Sequence, residues 1–283
     1  MQWASEESRR HYTEVVAAAH GALIGLDYDG TMAPIVEDPR DASIHPEMPD
    51  VLRRLCKVAQ TVAIITGRPA RQAVALGRFD ELADSCPNLM ILGQYGNETW
   101  DSTHRRVVSP TPPAGISGFL RELPGVVRDL DLDPWIEEKG IAVAVHTRRL
   151  HDPEAAFGAL LPAVANLARR HDLVIEPGRF VIEARARGMD KGIALRKLVA
   201  ATSPTAVMFA GDDLGDLQAF AEVDALRAEG LPALQVCSGS PEEHRIAEAA
   251  DVILDGPDGV VSFFTSFLDD VSASRTPRPA SGN

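Results

Sequence analysis

The sequence predicts an α/β protein: a parallel sheet flanked by helices, with a smaller α+β module inserted into it. Three observations carry this. Short apolar runs at residues 22–26, 61–65 and 89–92 alternate with helical segments, the rhythm of βαβ units. That rhythm breaks after Trp100, where an α-β-β order occurs twice, and it resumes at Met189-Asp190-Lys191-Gly192. The apolar runs empty into polar or acidic residues, and ligands of open α/β sheets collect at the carboxyl ends of strands.

Taken in order, residues 1–20 read as a leading helix, with Tyr12, Val15, Val16 and Ala19 at helical spacing. After the strand 22–26, residues 32–46 are polar and proline-punctuated, a surface loop. Val51, Leu52, Leu55 and Val58 make 49–60 an amphipathic helix, followed by the strand 61–65, a helix over 70–76 and the strand 89–92. Residues 105–108 suit a strand and Pro110 to Pro113 a junction. A helix over 116–130 is expected to be interrupted near Pro124. Residues 135–139 and 141–147, split by Gly140, suggest a hairpin. Residues 153–170 read as helix, and 173–176 and 180–184 as a second hairpin around Pro177-Gly178. Asp190 suits the N-cap of a helix to about 200. The runs 206–210, 234–237 and 252–254 complete the sheet, with helices after Pro241 and Pro257. A core of residues 1–104 and 188–271, a cap of 105–187 and a disordered tail of 272–283 follow from this reading.

The chain has 283 residues with a formal charge of −13, which argues against nucleic acid or anionic membrane as partner. Cys56, Cys86 and Cys237 form no CxxC pair, which fits reduced thiols and offers no zinc site. Without an apolar signal core or a twenty-residue apolar span, a soluble cytoplasmic protein is expected.

The densest chemistry lies in Leu26-Asp27-Tyr28-Asp29-Gly30-Thr31. Alternation along a strand sends Asp27 and Asp29 to one side. Two carboxylates in one small space repel each other and invite a hard cation bound through oxygen. Gly30 permits a turn that would bring backbone N–H groups toward an anion. Asp27/Asp29, Thr66, Lys191 and Asp212/Asp213/Asp216 all stand at element ends of the frame. If those strands are parallel neighbours, the groups meet on one rim, a set suited to phosphoryl transfer. A carboxylate can attack phosphorus, a magnesium ion can offset the mutual repulsion, and Lys191 and Thr66 can hold the phosphoryl oxygens.

These motifs resemble those of the haloacid dehalogenase (HAD) superfamily, which implies a HAD-like Rossmannoid core with an inserted α+β cap of the C2B-like type. More narrowly, Ile65-Thr66-Gly67-Arg68, Glu137-Glu138-Lys139-Gly140, His146-Thr147-Arg148, Glu176-Pro177-Gly178 and Asp190-Lys191-Gly192 are similar to the trehalose-6-phosphate phosphatase family. The resemblance implies a Mg2+-dependent hydrolase that splits trehalose 6-phosphate through an aspartyl phosphate. Asp27 would be the nucleophile and Asp29 the acid and base. Asp27, the backbone carbonyl of Asp29, and Asp212 would hold Mg2+, supported from behind by Asp213 or Asp216. Glu137, Lys139 and Glu183 match positions that hold sugar hydroxyls. Gly67, Arg68 and Asn97 would border the phosphate or sugar. A trehalose-phosphate synthase is the one protein partner the resemblance suggests. Tyr95-Gly96 replaces the more usual His-Gly, and Gly215 and Leu217 replace Thr and Glu.

Two other readings compete: a phosphatase of sucrose phosphate or of a glycosyl- or mannosyl-glycerate phosphate, and a non-catalytic sugar-phosphate-binding domain. Glu137-x-Lys139 with Glu183 favours trehalose 6-phosphate over the other sugar phosphates, and the presence of Asp27, Asp29 and Lys191 opposes the non-catalytic reading. Hinges are expected near 101–112 and 185–189, because a closed site that excludes water must reopen for release. Trp3, Trp100 and Trp135 read as packing residues. His146 and Arg148 read as shaping the cap, and Asp251, Asp255 and Asp258 as turn and cap residues.

Overall fold

The computed structural model describes residues 1–112, 114–239 and 244–274. Pro113, Pro241 and the tail from 275 lie outside these.

In chain order the strands are β1 Gln2–Trp3, β2 Ala22–Leu26, β3 Thr61–Ile65, β4 Leu89–Gly93, β5 Glu98–Asp101 and β6 Val107–Val108. They continue with β7 Trp135–Glu138, β8 Ala142–His146, β9 Leu173–Gly178, β10 Val181–Ala186, β11 Ala206–Gly211, β12 Ala233–Gly239 and β13 Val252–Asp255. The helices are α1 Glu6–Ala17, α2 Met48–Val58, α3 Ala70–Gly77, α4 Phe79–Leu82 and α5 Ala114–Asp129. After them come α6 Pro153–Arg170, α7 Lys191–Thr202, α8 Leu217–Ala228, α9 His244–Glu248 and α10 Gly256–Ser274.

The chain divides into two compact units, residues up to 108 together with those from 190 onward, and Ser109–Met189. The first is built on a sheet of order β1-β13-β12-β11-β2-β3-β4-β5-β6. Its centre, β13 through β4, is parallel, as the strand–helix alternation predicts. β2, β3 and β11 are buried along their whole length, the mark of strands covered on both faces. One apolar layer gathers Ile24, Leu26, Val62, Phe263 and Phe264. The other gathers Leu23, Ile65, Leu195, Phe209 and Phe220. This is what places the ends of β2, β3 and β11 side by side. No helix among the described residues is long and apolar enough to cross a membrane.

The second unit has an antiparallel sheet of order β7-β8-β10-β9, with α5 and α6 packed through Phe119, Leu123, Leu160 and Val164 against Val143, Val145 and Ile182. Val145 and Ile182 pair directly across β8 and β10. Both hairpins expected from the sequence are present.

Some expectations need correction. The leading segment is a short strand β1 paired antiparallel with β13, and the helix starts only at Glu6, where the Ser5 side chain caps the Ser8 N–H (3.1 Å). Helix α5 runs unbroken through Pro124. Ile116, Phe119, Leu123 and Val127 are buried on both sides of the proline. That burial outweighs the roughly 3 kcal/mol a proline costs inside a helix. Residues 272–274 belong to α10, which Val271 and Leu268 anchor in the core, so the end of the chain is ordered at least to Ser274.

Candidate active site

Asp27 follows β2 directly. Its N–H still donates to the Ala210 carbonyl (2.8 Å), so the ladder with β11 carries the residue to the sheet's rim. The Asp27 carboxylate is buried, with Lys191 Nζ at 2.7 Å. Lys191 opens α7, whose N-cap is Asp190, its side chain accepting from the Ile193 N–H at 2.8 Å as expected. The same Nζ donates to Asp216 (2.7 Å).

Asp212 leaves the end of β11 beside Asp27. The carboxylates of Asp27, Asp212 and Asp216 lie within 4.8 Å of one another, all buried. Lys191 is the cation among them, so three acids and one lysine leave surplus negative charge away from water. Burial is the main cause that pushes all three carboxyls up, Asp212 to about 8; the neighbouring acids push further and Lys191 opposes. Buried charge of this kind either neutralises or takes a cation. The donor set is all carboxylate oxygen, which fits a hard divalent ion.

The three acids are not equivalent. One oxygen of Asp216 accepts Lys191, and the other accepts the N–H groups of Asp212 (3.0 Å) and Asp213 (3.3 Å). Asp27 and Asp212 therefore have the oxygens to spare for an ion, and Asp216 fixes the turn behind them. Asp213 is exposed and accepts from the Gly215 N–H (2.9 Å), closing a reciprocal cap with Asp216. Sequence reasoning left Asp213 and Asp216 interchangeable; the tight turn after Asp213 separates them. Gly215 leaves no hydroxyl there, and Leu217 packs against the apolar layer around Phe220.

Gly30 has a reason the sequence reading missed. Its φ is +72°, and a methyl at this position would stand 1.9 Å from Asp212 Oδ2. Its own N–H donates to the Ala33 carbonyl (2.7 Å), while the Gly30 carbonyl accepts from the Ser238 hydroxyl (2.6 Å). Gly30→Ala is expected to cost about 1–3 kcal/mol in a urea melt, because it forces φ > 0 and displaces a carboxylate. It should also weaken stabilisation by added divalent cation.

Asp29 points elsewhere. Arg68 grips its carboxylate with Nε and Nη2, both at 2.6 Å. The guanidinium also donates to the Pro39 carbonyl (2.8 Å) and lies over the Tyr28 ring at 5.3 Å. Thr66 is buried after β3, and its hydroxyl accepts the Arg68 N–H (3.1 Å). The Asn97 side chain donates to the Gln94 carbonyl (2.8 Å) within its own loop.

In the second unit Lys139 Nζ donates to Glu183 Oε2 (2.5 Å). Glu183 is buried, and its Oε1 has no hydrogen-bond partner among the described residues. A buried acceptor left unpaired costs about 1–3 kcal/mol. Glu137 meets His146 Nε2 (3.0 Å). Trp100 is buried as expected, whereas Trp135 is 43% exposed. Its ring stacks on His146 (4.4 Å) and lies under Arg149, beside a cavity of about 390 Å³, so packing does not describe it. Asp251 is also more than a turn residue. Buried beside β12, it accepts from Arg227 (2.5 Å) and the Gln235 N–H (3.0 Å), with His11 at 3.0 Å.

A core of parallel strands with this acid set invites comparison with known proteins. The trehalose-phosphatase family model matches residues 25–252. The chain belongs to the trehalose-phosphatase family. It is 29% identical over 266 residues to trehalose-phosphate phosphatase of Mycobacterium tuberculosis, an alignment covering 87% of this chain and 61% of that protein. It spans 15% of the length of longer mycobacterial relatives that are 31% identical over 224 residues. Among solved structures, the C-terminal domain of Candida albicans trehalose-6-phosphate phosphatase matches with a TM-score of 0.73 at 18% identity, covering 95% of this chain and 98% of that one. A haloacid dehalogenase-like hydrolase from Bacteroides thetaiotaomicron matches at 0.64 and 17%, covering 87% and 98%. The family's fold is thus the HAD-like core with its cap, as the motifs implied.

Proposed function

We propose that this trehalose-phosphatase family member hydrolyses trehalose 6-phosphate to trehalose and phosphate, with Mg2+ as cofactor. The observation that carries the reading is the buried Asp27 carboxylate, held by Lys191 at 2.7 Å and flanked by Asp212. The Asp27 oxygen attacks phosphorus and forms an acyl phosphate as the sugar oxygen departs. Asp29 gives that oxygen its proton, then takes one from the water that attacks the acyl phosphate and frees Asp27. To do so its carboxyl must turn out of the two bonds from Arg68. Lys191, held between two carboxylates, is placed to draw charge from the phosphoryl oxygens, and the Thr66 hydroxyl to donate to them. Asp27 and Asp212, with the Asp29 carbonyl, would hold Mg2+, which supplies positive charge that offsets the repulsion between carboxylate and phosphate.

Glu183, Lys139 and Glu137 would take the hydroxyls of the sugar, the unpaired Glu183 oxygen being the strongest acceptor among them. Glu183→Gln is expected to raise KM for trehalose 6-phosphate about tenfold or more, the worth of one hydrogen bond to a charged group. Turnover of p-nitrophenyl phosphate, which has no sugar, should be unchanged; an equal loss on both substrates would remove Glu183 from sugar recognition.

The test of the function itself is a phosphate-release panel with and without Mg2+. Trehalose 6-phosphate should be the best substrate, and release should need the ion. Release from sucrose phosphate or a glycosylglycerate phosphate but not from trehalose 6-phosphate would reassign the substrate. A trehalose-phosphate synthase partner is tested by co-purification.

A further inference from the structure

The turn bearing Thr66, Gly67 and Arg68 is held from its far side by residues 94–97. The Gln94 N–H donates to the Arg68 carbonyl (2.8 Å) and the Tyr95 N–H to the Thr66 carbonyl (3.0 Å). To make these bonds three consecutive residues take the left-handed conformation, with φ of 46° at Gln94, 58° at Tyr95 and 85° at Gly96. For a bulky aromatic residue that backbone is an outlier, and glycine would adopt it freely. The backbone bonds would form equally well with glycine at 95, so it is the tyrosine side chain that needs a reason.

Gly67 supplies one. A methyl at 67 would stand 2.8 Å from Tyr95 Oη and 2.9 Å from Cζ. The phenol fills the room that a side chain at 67 would take. Gly67 in turn joins Thr66, whose hydroxyl accepts the Arg68 N–H, to Arg68, whose guanidinium clamps Asp29. We propose that Tyr95 is a positioning residue of the phosphoryl-transfer site: its ring seats on Gly67 and fixes the turn that aims the Thr66 hydroxyl and the Arg68 guanidinium. This rests on the phosphatase reading above and adds to it a residue that touches none of the reacting atoms. Strained residues persist where their surroundings over-determine them, and they gather at working sites. A loosened turn matters because small misplacements of catalytic groups can cost about a hundredfold in rate.

The test uses the full chain with Mg2+, trehalose 6-phosphate and p-nitrophenyl phosphate, with Tm measured alongside. Tyr95→Gly should lower kcat at least tenfold on both substrates, because the turn serves the phosphoryl group they share. KM for trehalose 6-phosphate should move less than threefold. Tm should stay near the wild-type value, the relieved backbone offsetting the lost packing. Tyr95→Phe, which keeps the ring beside Gly67, should recover most of the kcat that Tyr95→Gly loses. Gly67→Ala should slow the tyrosine protein, and should slow it by a larger factor than it slows the Tyr95→Gly background, where no phenol is left to displace. Wild-type kcat in Tyr95→Gly overturns the proposal. So does a Tyr95→Phe as slow as Tyr95→Gly, or a loss of rate that tracks a fall in Tm. A wild-type protein inactive on both substrates would overturn the phosphatase reading as well, whereas an active wild type with an unaffected Tyr95→Gly overturns this inference alone.

Discussion

Asp27→Asn is expected to lower turnover of trehalose 6-phosphate by about 10⁵-fold or more, the scale on which removing a nucleophile acts. The amide is isosteric but cannot form the acyl phosphate. The fold should survive, because the Asp27 N–H still reaches the Ala210 carbonyl and Lys191 still has Asp216. The cation-free variant should even gain stability, since one buried carboxyl that burial pushes well above its ordinary range has lost its charge. Phosphate release read beside circular dichroism checks both halves. Turnover above a hundredth of wild type would remove Asp27 as nucleophile.

Lys191→Met should have the largest effect on stability. It takes the cation from among three buried carboxylates, and breaking a buried pair from one side costs about 3–5 kcal/mol. The loss depends on pH, and the sign follows from the carboxyls. Asp212 holds its proton up to about 8 in the folded chain and releases it near 4 when unfolded, with Asp27 and Asp216 shifted the same way. The folded state then binds more protons than the unfolded one through that window, so cation-free stability falls as pH rises from about 4 to about 8. The cost of Lys191→Met should accordingly be larger at pH 8 than at pH 5. A divalent ion displaces those protons, so Mg2+ should raise the wild-type Tm more at pH 8 than at pH 5. Equal shifts at the two pH values would contradict this.

Much of this was legible in the residues. Unbroken apolar runs marked β2, β3 and β11 because strands covered on both faces need no polar alternation. The two hairpins showed through Gly140 and Pro177-Gly178. The acids at strand ends pointed to a common rim, and the structure brings the carboxylates of Asp27, Asp212 and Asp216 within 4.8 Å of one another. What stayed hidden depends on contacts between residues far apart in the chain. Asp213 and Asp216 looked interchangeable as supporting acids, and only the tight turn after Asp213 shows that Asp216 is the one buried against Lys191. Gly30 marked a turn, but the residues around it do not show that its missing side chain makes room for Asp212, 182 positions away. Trp135 shared parity with Glu137, but only its pairing with His146 across β7 and β8 shows the stacked, half-open ring. Pro124 should have broken α5, and tertiary burial overrode it.

The central claim is that Asp27 and Asp212 share one divalent ion. Crystals soaked in Mn2+ and measured at its absorption edge test it most directly. An anomalous peak bonded to oxygens of both carboxylates is expected, with none when Asp212 is replaced by asparagine. A saturating soak that leaves this site empty, or places the ion away from Asp27, would contradict the account.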